Sequence, residues 1–203
     1  MGNALPPAGF ETASLHLHVV APGSRFGRIY LGRYPDPLGF GKTPSRFSDP
    51  RRRKATNRFG VLYMGDTEVC FLEAVLGDQR DGLIGDLPIA ESALHDRQYA
   101  QIEVIASLTM VDLRADGAIR MGVPSDVAKS SKQSLAREWA VAFHEHRDQV
   151  DGIIYPSRLN GHTNVAVFDR SIDKLKAIDA TRLIRAPGLA AVLDDLDIAI
   201  VNL

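Results

Sequence analysis

Cysteine is nearly absent from this sequence, which contains one, Cys70, among 203 residues. A single thiol cannot form a disulfide within the chain, so a disulfide-stapled secreted fold is excluded and a reducing compartment is expected. The sequence also lacks any apolar run close to the roughly 20 residues that cross a bilayer. Its N-terminus has neither the basic start nor the apolar core of a signal peptide. We therefore expect a cytoplasmic protein with no membrane-spanning segment.

An excess of either charge is missing as well, since 24 Lys and Arg stand against 25 Asp and Glu, for a formal net charge of −1. This balance gives no reason to expect direct binding to nucleic acid or to an anionic membrane. Hydrophobic residues make up 45% of the sequence, which predicts a single domain over residues 1–203 with a substantial core. Residues 1–14 are rich in Ala, Pro and Gly, and we expect them to form a loosely ordered N-terminal arm.

Predicted strands outnumber predicted helices in this sequence. Strands are predicted where short runs of branched and aromatic residues occur between turn residues, at 15–20, 28–31, 61–63, 101–113 (bent near Ser107), 152–155, 165–168, 175–178 and 198–201. Helices are predicted at 69–76, 130–147 and 187–196, and residues 77–94 are expected to be mainly loop with a short helical turn. Because the strands and helices do not alternate, the pattern indicates an α+β fold.

The stretch Phe59–Leu76 is the centre of the functional prediction. Its first part, Val61–Tyr63, favours a strand, and Asp66 or Thr67 can cap the helix that follows. That helix is apolar from residue 69 to residue 76 except at Glu73. An ionised carboxylate on a buried helix costs several kcal/mol unless cations, donors or solvent meet it. Glu73 is therefore either a surface carboxylate paired with a structural arginine or a catalytic or substrate-holding acid at the mouth of a pocket.

Two further segments are predicted to be functional loops. A long loop rich in Pro and Gly runs from Tyr34 to Pro50, and long ordered loops are often functional. Gly41–Thr43 within it is not a phosphate-binding loop, because Asp36 occupies the place of the required first glycine and no helix pattern follows. The polar segment Ser157–Asn164 follows a buried strand that Pro156 ends, an arrangement that commonly lines a cleft.

Several common active sites are not indicated. No serine lies in a Gly-x-Ser-x-Gly elbow, which argues against a serine hydrolase triad. No Gly-x-Gly-x-x-Gly follows a strand, which argues against a dinucleotide-binding dehydrogenase. His16 and His18 would share one face of a strand but have no acidic or cysteine partner at ligand spacing, so no metal site is predicted.

An ordered set of residues resembles the RES-domain family, which is named for its Arg, Glu and Ser. The set comprises Arg28 in Arg-Ile-Tyr, Arg46 in Ser-Arg-Phe, Tyr63 in Leu-Tyr-Met-Gly, Glu73 in Cys-Phe-Leu-Glu-Ala-Val, Ser157 in Tyr-Pro-Ser-Arg, and Asn164. The resemblance runs from about residue 28 to residue 168. Each motif is short, and the order of the motifs along the chain makes the resemblance specific. This chain departs from the family pattern in a longer N-terminus and in the long loop between the two arginines.

The resemblance implies an ADP-ribosyltransferase-like α+β fold, with a mixed, split β-sheet and flanking helices around a nicotinamide-dinucleotide pocket. Many members of the family are toxins of bacterial toxin–antitoxin pairs. They cut the nicotinamide–ribose bond of NAD by phosphorolysis or hydrolysis, with inorganic phosphate or water as the acceptor. The resemblance therefore implies NAD as a substrate, no separate cofactor, and a helix-turn-helix antitoxin as the partner that covers the active site.

The residue types agree with this chemistry. When the bond to nicotinamide breaks, positive charge grows on the ribose while nicotinamide leaves neutral, so one fixed carboxylate, Glu73, is enough. Arg28 and Arg46 are expected to bind the pyrophosphate, because a guanidinium can donate two parallel hydrogen bonds to phosphate oxygens. Tyr63 offers a ring face to nicotinamide and a hydroxyl group.

The family pattern implies Glu73, Arg28 and Ser157 as the catalytic set. Ser157 and Asn164 are small donors suited to ribose, phosphate or carboxamide, and Ser157 is expected to position a group rather than to attack. Two alternatives stay open at this point. One is a transferase that attaches ADP-ribose to a macromolecule, which needs an open acceptor face beside Glu73. The other is a non-enzymatic binding module whose polar residues support loops.

Overall fold

The computed structural model describes residues 4–52, 54–77 and 87–202. In this part of the chain the strands are β1 (Leu17–Val20), β2 (Arg25–Leu31), β3 (Val61–Gly65), β4 (Leu87–Ala90), β5 (Arg97–Val104), β6 (Leu108–Asp112), β7 (Gly152–Pro156), β8 (Thr163–Phe168), β9 (Leu175–Arg182) and β10 (Ile198–Val201). The helices are α1 (Thr67–Phe71), α2 (Glu91–His95), α3 (Gly117–Arg120), α4 (Asp126–Lys129), α5 (Ser134–His144) and α6 (Leu189–Asp195). One π-helical turn, Leu72–Leu76, continues α1.

Eight of these strands form one mixed sheet in the order β1-β6-β7-β8-β3-β2-β5-β9. Strands β6 and β7 run parallel, whereas the other neighbours are antiparallel. The β2–β3 join is narrow, because Gly27 opposite Gly65 is the single paired position recorded there in the described residues. A Cβ at Gly27 would lie 2.7 Å from the Tyr99 hydroxyl oxygen, so a larger residue does not fit at this join without movement. The predicted α+β class with a mixed, split sheet is confirmed.

A second, small sheet pairs β4 with β10 in parallel, with Leu87 opposite Ile198 and Ala90 opposite Val201. The sequence pattern predicts β10 but indicates a loop at the position of β4. The local signal of β4 is weak because the strand is short and contains Pro88, and it is paired by a strand near the other end of the chain. Residues 78–86, which belong to the same predicted loop, lie outside the described residues.

The long strand predicted at 101–113 is two strands, β5 and β6, which separate between Val104 and Leu108, close to the predicted bend. The amphipathic helix predicted at 130–147 is α5, which is shorter at both ends. Its buried face, which includes Trp139 and Phe143, belongs to the same core cluster as residues of β7 and β8. The described helices include none that is long and apolar enough to cross a bilayer.

The expectation of a loosely ordered N-terminal arm is wrong for residues 4–14. Phe10 is buried, and its ring meets the ring of Trp139 edge-on with centroids 4.9 Å apart. The Trp139 indole N–H also donates to the carbonyl oxygen of Ala4 at 2.8 Å. The arm is ordered because one aromatic ring and one backbone carbonyl group contact α5. The Pro-rich composition of the arm gives no sign of these contacts.

A third core cluster places the π-helical turn relative to the sheet. Leu72, Val75 and Leu76 of this turn are buried together with residues of α2 and α6. Glu73 lies in the same turn but is exposed. Burial of these apolar side chains holds the turn in place. Glu73, its one charged residue, then lines the cavity between β2 and β3 in which the candidate site lies.

Candidate active site

Glu73 lies in the π-helical turn that follows α1. The side chain of Asp66 begins α1, because its Oδ1 accepts a hydrogen bond from the Val69 N–H at 2.7 Å, as the capping prediction required. The turn ends at Gly77, whose N–H donates to the carbonyl oxygen of Leu72 at 2.7 Å. Single π-helical turns are rare and occur frequently at functional sites. The structure therefore has its one irregular helical turn of this kind, within the described residues, at the predicted acid.

The Glu73 carboxylate is held by two donors through one oxygen. The Ser157 hydroxyl donates to Oε1 at 2.9 Å, and the Asn164 side-chain amide donates to the same atom at 3.2 Å. Both donor residues are buried. Within the described residues, Oε2 has no hydrogen bond and Glu73 has no ion-pair partner. The carboxylate is thus oriented by neutral groups and keeps one oxygen for a ligand.

The loop that carries Ser157 is attached to α1. The Asn160 side-chain amide donates to Glu68 Oε1 at 2.9 Å, and His162 Nδ1 lies 3.6 Å from Glu68 Oε2. The Ser157 N–H in turn donates to the carbonyl oxygen of His162 at 2.6 Å. Because α1 continues directly into the turn that contains Glu73, these contacts fix Ser157 relative to the carboxylate.

Glu73 lines a cavity of about 340 Å³ at the narrow join between β2 and β3, which we call the Glu73 cavity. Among the predicted residues, Arg46, Tyr63 and Asn164 line it as well. Ser157 reaches the site only through its hydrogen bond to Glu73 and lines a different cavity with the rest of its loop. Cavities of roughly 300–1,000 Å³ with few polar groups are typical ligand sites. The structure therefore brings five of the six predicted residues together around one carboxylate.

Arg46 and Tyr63 line the same cavity as Glu73. Arg46 is only 7% exposed, and its Nη1 donates to the carbonyl oxygen of Ser130 at 2.8 Å. Its other nitrogens have no hydrogen-bond partner within the described residues. The Tyr63 hydroxyl accepts from the Phe47 N–H at 2.8 Å and lies 3.0 Å from Ser45 Oγ. Burial raises the pKa of Tyr63, so its hydroxyl stays protonated and holds the loop while the ring lines the cavity.

Arg28 is the predicted residue that the structure does not bring into this group. It lines a neighbouring cavity, where its two terminal nitrogens donate to the carbonyl oxygens of Pro37 and Gly39. Its guanidinium carbon also lies 5.7 Å from the ring centroid of Tyr30. Burial lowers the pKa of Arg28, an effect that Asp36 opposes. Both terminal nitrogens are thus used to hold the long loop, and a role on the substrate phosphates stays a prediction.

Some residues of the site were not predicted. Cys70 lines the Glu73 cavity and directs its thiol to the carbonyl oxygen of Gly27 at 3.1 Å, and burial raises its pKa to about 12. Tyr155 and Gln133 also line it. Tyr155 could have been found, because it lies on the predicted strand that leads to Ser157, whereas Gln133 precedes α5 with no local signal. No group of three or more metal-ligating side chains is present in the described residues.

Comparisons with known proteins identify the family of this chain. The RES domain family model matches residues 25–187, a range that contains all of the predicted site residues. The probable toxin y4kH of Sinorhizobium fredii is 38% identical over 121 residues, which cover 59% of this chain and 95% of that protein. A chain in the crystal structure of the M. tuberculosis MbcT–MbcA toxin–antitoxin complex has a similar fold, with a TM-score of 0.60 and 16% identity over 88% of this chain and 91% of that chain. The family model covers most of the chain, and the chain belongs to the RES domain family.

Proposed function

We propose that this chain is an enzyme that consumes NAD by cleaving the nicotinamide–ribose bond, and that it is the toxin of a toxin–antitoxin pair. The observation that carries the proposal is the carboxylate of Glu73, a residue that lines the cavity: Ser157 and Asn164 fix one of its oxygens, and the other has no hydrogen bond in the described residues. Membership of the RES domain family supports it, as does the similarity to a probable toxin.

In the proposed reaction the bond between ribose C1′ and the pyridinium nitrogen breaks, and both of its electrons leave with nicotinamide. Nicotinamide becomes neutral as it departs, so no acid is needed to protonate it. Positive charge grows on the ribose, and the available oxygen of Glu73 stabilises that charge or accepts a hydrogen bond from a ribose hydroxyl. Inorganic phosphate or water then forms the new bond to C1′, and a water acceptor releases a proton.

The other residues of the cavity are proposed to bind and orient the dinucleotide. Arg46 is nearly buried and retains donors that a phosphate oxygen can accept, so we assign it to the pyrophosphate. Tyr63 contributes its ring face, since its hydroxyl is used by the loop. The Ser157 hydroxyl donates to Glu73 and accepts from the Leu159 N–H at 3.2 Å, which suits a positioning donor rather than a nucleophile.

The partner of the proposed toxin is an antitoxin that blocks the Glu73 cavity. The similar fold of a chain in a toxin–antitoxin complex supports this assignment, and the family resemblance suggests a helix-turn-helix protein. An inhibitor of this kind would place an acidic group against Arg46, where it replaces a substrate phosphate in a charge-assisted hydrogen bond. Expression of the active chain alone should arrest growth and lower cellular NAD, and co-expression with the antitoxin should restore both.

Transfer of ADP-ribose to a macromolecule is the second candidate, and the exposure of Glu73 favours it because an acceptor side chain could reach the carboxylate. One experiment separates the candidates. The purified chain is incubated with NAD labelled in the adenosine part, with and without inorganic phosphate, in the presence of a cell extract. Free nicotinamide without labelled macromolecules supports NAD cleavage, labelled macromolecules support the transferase, and intact NAD refutes both.

A further inference from the structure

A second cavity, of about 490 Å³, adjoins the Glu73 cavity, since Ile29 lines both. Three aromatic residues, Tyr30, Tyr34 and Phe40, line this second space, which we call the aromatic cavity. Tyr34 is 56% exposed, and Phe40 is exposed as well. Large rings that stay accessible in a concave surface offer a flat apolar face to a ligand. The aromatic cavity therefore has the form of a binding site for a planar ring.

The wall of the aromatic cavity is fixed by the fold. Arg28 donates from both terminal nitrogens to the carbonyl oxygens of Pro37 and Gly39. These two hydrogen bonds hold the loop between Tyr34 and Phe40 against β2. On one side of Tyr34, the guanidinium carbon of Arg33 lies 5.1 Å from the ring centroid. A site whose rings are held before a ligand arrives loses little conformational entropy on binding.

The ring of Phe40 packs directly on the backbone of Gly60, just before β3. A Cβ added at Gly60 would lie 2.0 Å from Phe40 Cδ2, so this glycine makes room for the ring. The neighbouring Gly41 forms an isolated antiparallel bridge with Val61. The loop thus connects the aromatic cavity directly to the strand that carries Tyr63 into the Glu73 cavity.

We propose that the aromatic cavity binds the adenine base of the dinucleotide. This inference rests on the proposed function, which places the nicotinamide ribose at Glu73 and the pyrophosphate at Arg46. The remaining half of the dinucleotide must extend out of the Glu73 cavity, and the shared wall at Ile29 leads to the exposed rings. Adenine stacks on Tyr34, the more exposed of the two rings, because base–aromatic stacking needs only two flat faces.

Asp36 supplies a polar contact in the same place. It lines the aromatic cavity, and its Oδ1 accepts from the Leu38 N–H at 2.8 Å. Within the described residues its Oδ2 has no hydrogen bond, so this oxygen can accept one from the exocyclic amine of adenine. The arrangement also gives Arg28 a defined part in binding, since it shapes the aromatic cavity through the loop rather than by contact with phosphate.

The proposal is tested by the affinity of the full-length chain for AMP, which carries the adenosine part and cannot release nicotinamide. Tyr34→Ala should raise the Kd for AMP about tenfold, which is the effect expected when one base–aromatic stack is lost. Tyr34→Phe keeps the ring and should bind AMP like the unaltered chain. Ile119→Ala, which removes an exposed apolar side chain on α3, should not change AMP affinity. Melting temperatures verify that each variant is folded.

Absence of AMP binding at millimolar concentration, or equal affinity in Tyr34→Ala and the unaltered chain, would overturn the proposal. A second readout is the kinetics of nicotinamide release, in which Tyr34→Ala should raise KM for NAD and leave kcat unchanged. If NAD is cleaved but AMP affinity does not depend on Tyr34, the adenine assignment fails and the proposed function stands. If AMP binding depends on Tyr34 and no nicotinamide is released, the proposed function fails and the base-binding site stands.

Discussion

Arg28, in β2, and Arg46, in the second half of the long loop that follows, differ in what they can still offer a ligand. Arg28 donates from both terminal nitrogens to loop carbonyl oxygens and lines the aromatic cavity. Arg46 lines the Glu73 cavity and uses one nitrogen on the carbonyl oxygen of Ser130, and its other guanidinium nitrogens have no hydrogen-bond partner in the described residues. The same residue type therefore shapes the loop at position 28 and keeps donors for a ligand at position 46. The difference is whether the guanidinium N–H groups are already hydrogen-bonded within the protein, and this cannot be read from the sequence.

The same contrast holds between Glu73 and Tyr63. Glu73 has one oxygen held by Ser157 and Asn164 and one that lacks a hydrogen bond in the described residues. The Tyr63 hydroxyl is used to hold the loop at Ser45–Phe47. We therefore expect changes at groups that keep an unused atom to impair the reaction. Changes at groups that only hold the loop, such as the Tyr63 hydroxyl and the Arg28 guanidinium, should mainly impair stability.

Glu73→Gln should have the largest effect. It keeps the shape of the side chain and removes the charge that stabilises the ribosyl cation, so the rate of nicotinamide release should fall by about a hundredfold or more. The melting temperature should stay close to that of the unaltered chain, because Glu73 has no ion-pair partner among the described residues. Glu138→Gln, at an exposed glutamate of α5, is the matched control and should retain full activity. A folded Glu73→Gln variant with near-full activity would refute the assignment.

Arg46→Lys should weaken NAD binding by about tenfold, because an ammonium group loses the planar pair of donors that matches a phosphate. The affinity is measured by calorimetry on the Glu73→Gln background, so that substrate is not consumed. Arg52→Lys, at an exposed arginine, serves as the control. Unchanged affinity in the Arg46 variant would move the phosphate site elsewhere.

Ser157→Ala should reduce nicotinamide release by several-fold without abolishing it, since Asn164 still donates to the same oxygen of Glu73. No ADP-ribosyl adduct should accumulate on the unaltered enzyme, because Ser157 is assigned as a donor. Intact-protein mass spectrometry after rapid quenching provides the measurement, and an adduct mapped to Ser157 would contradict this role.

Arg28→Lys should lower the free energy of unfolding by about 2 kcal/mol, because a lysine cannot satisfy both loop carbonyl oxygens. Its effect on NAD affinity should be smaller than that of Arg46→Lys. Urea unfolding together with the same calorimetry compares the two arginines directly. A stable Arg28→Lys variant with strongly weakened NAD binding would instead support the sequence-based prediction that Arg28 contacts phosphate.

Part of the site could be predicted because neighbouring residues in the sequence identify it. Glu73 is the only charge in an apolar helical run, and Asp66 is a standard capping residue just before it. Ser157 and Asn164 were identified from the family resemblance, and the structure places both on the carboxylate. The π-helical turn was not predicted, because its apolar spacing over a few residues is the same as that of an α-helix.

The rest depends on contacts between distant parts of the chain. The partners of Arg28 are backbone carbonyl oxygens, which carry no residue-specific signal. The docking of Phe10 on Trp139 joins the first turn of the chain to α5, and β4 becomes a strand only by pairing with β10. Tertiary contacts of this kind override weak local propensity.

In the proposed function, the Glu73 cavity holds the nicotinamide ribose of NAD. The most direct test is a crystal structure of the Glu73→Gln variant with NAD bound, since this variant should bind the dinucleotide and leave it intact. The expected result places ribose C1′ beside the side chain of residue 73 and the pyrophosphate against Arg46. NAD bound at another surface, with the Glu73 cavity empty in the same crystal, would contradict the account.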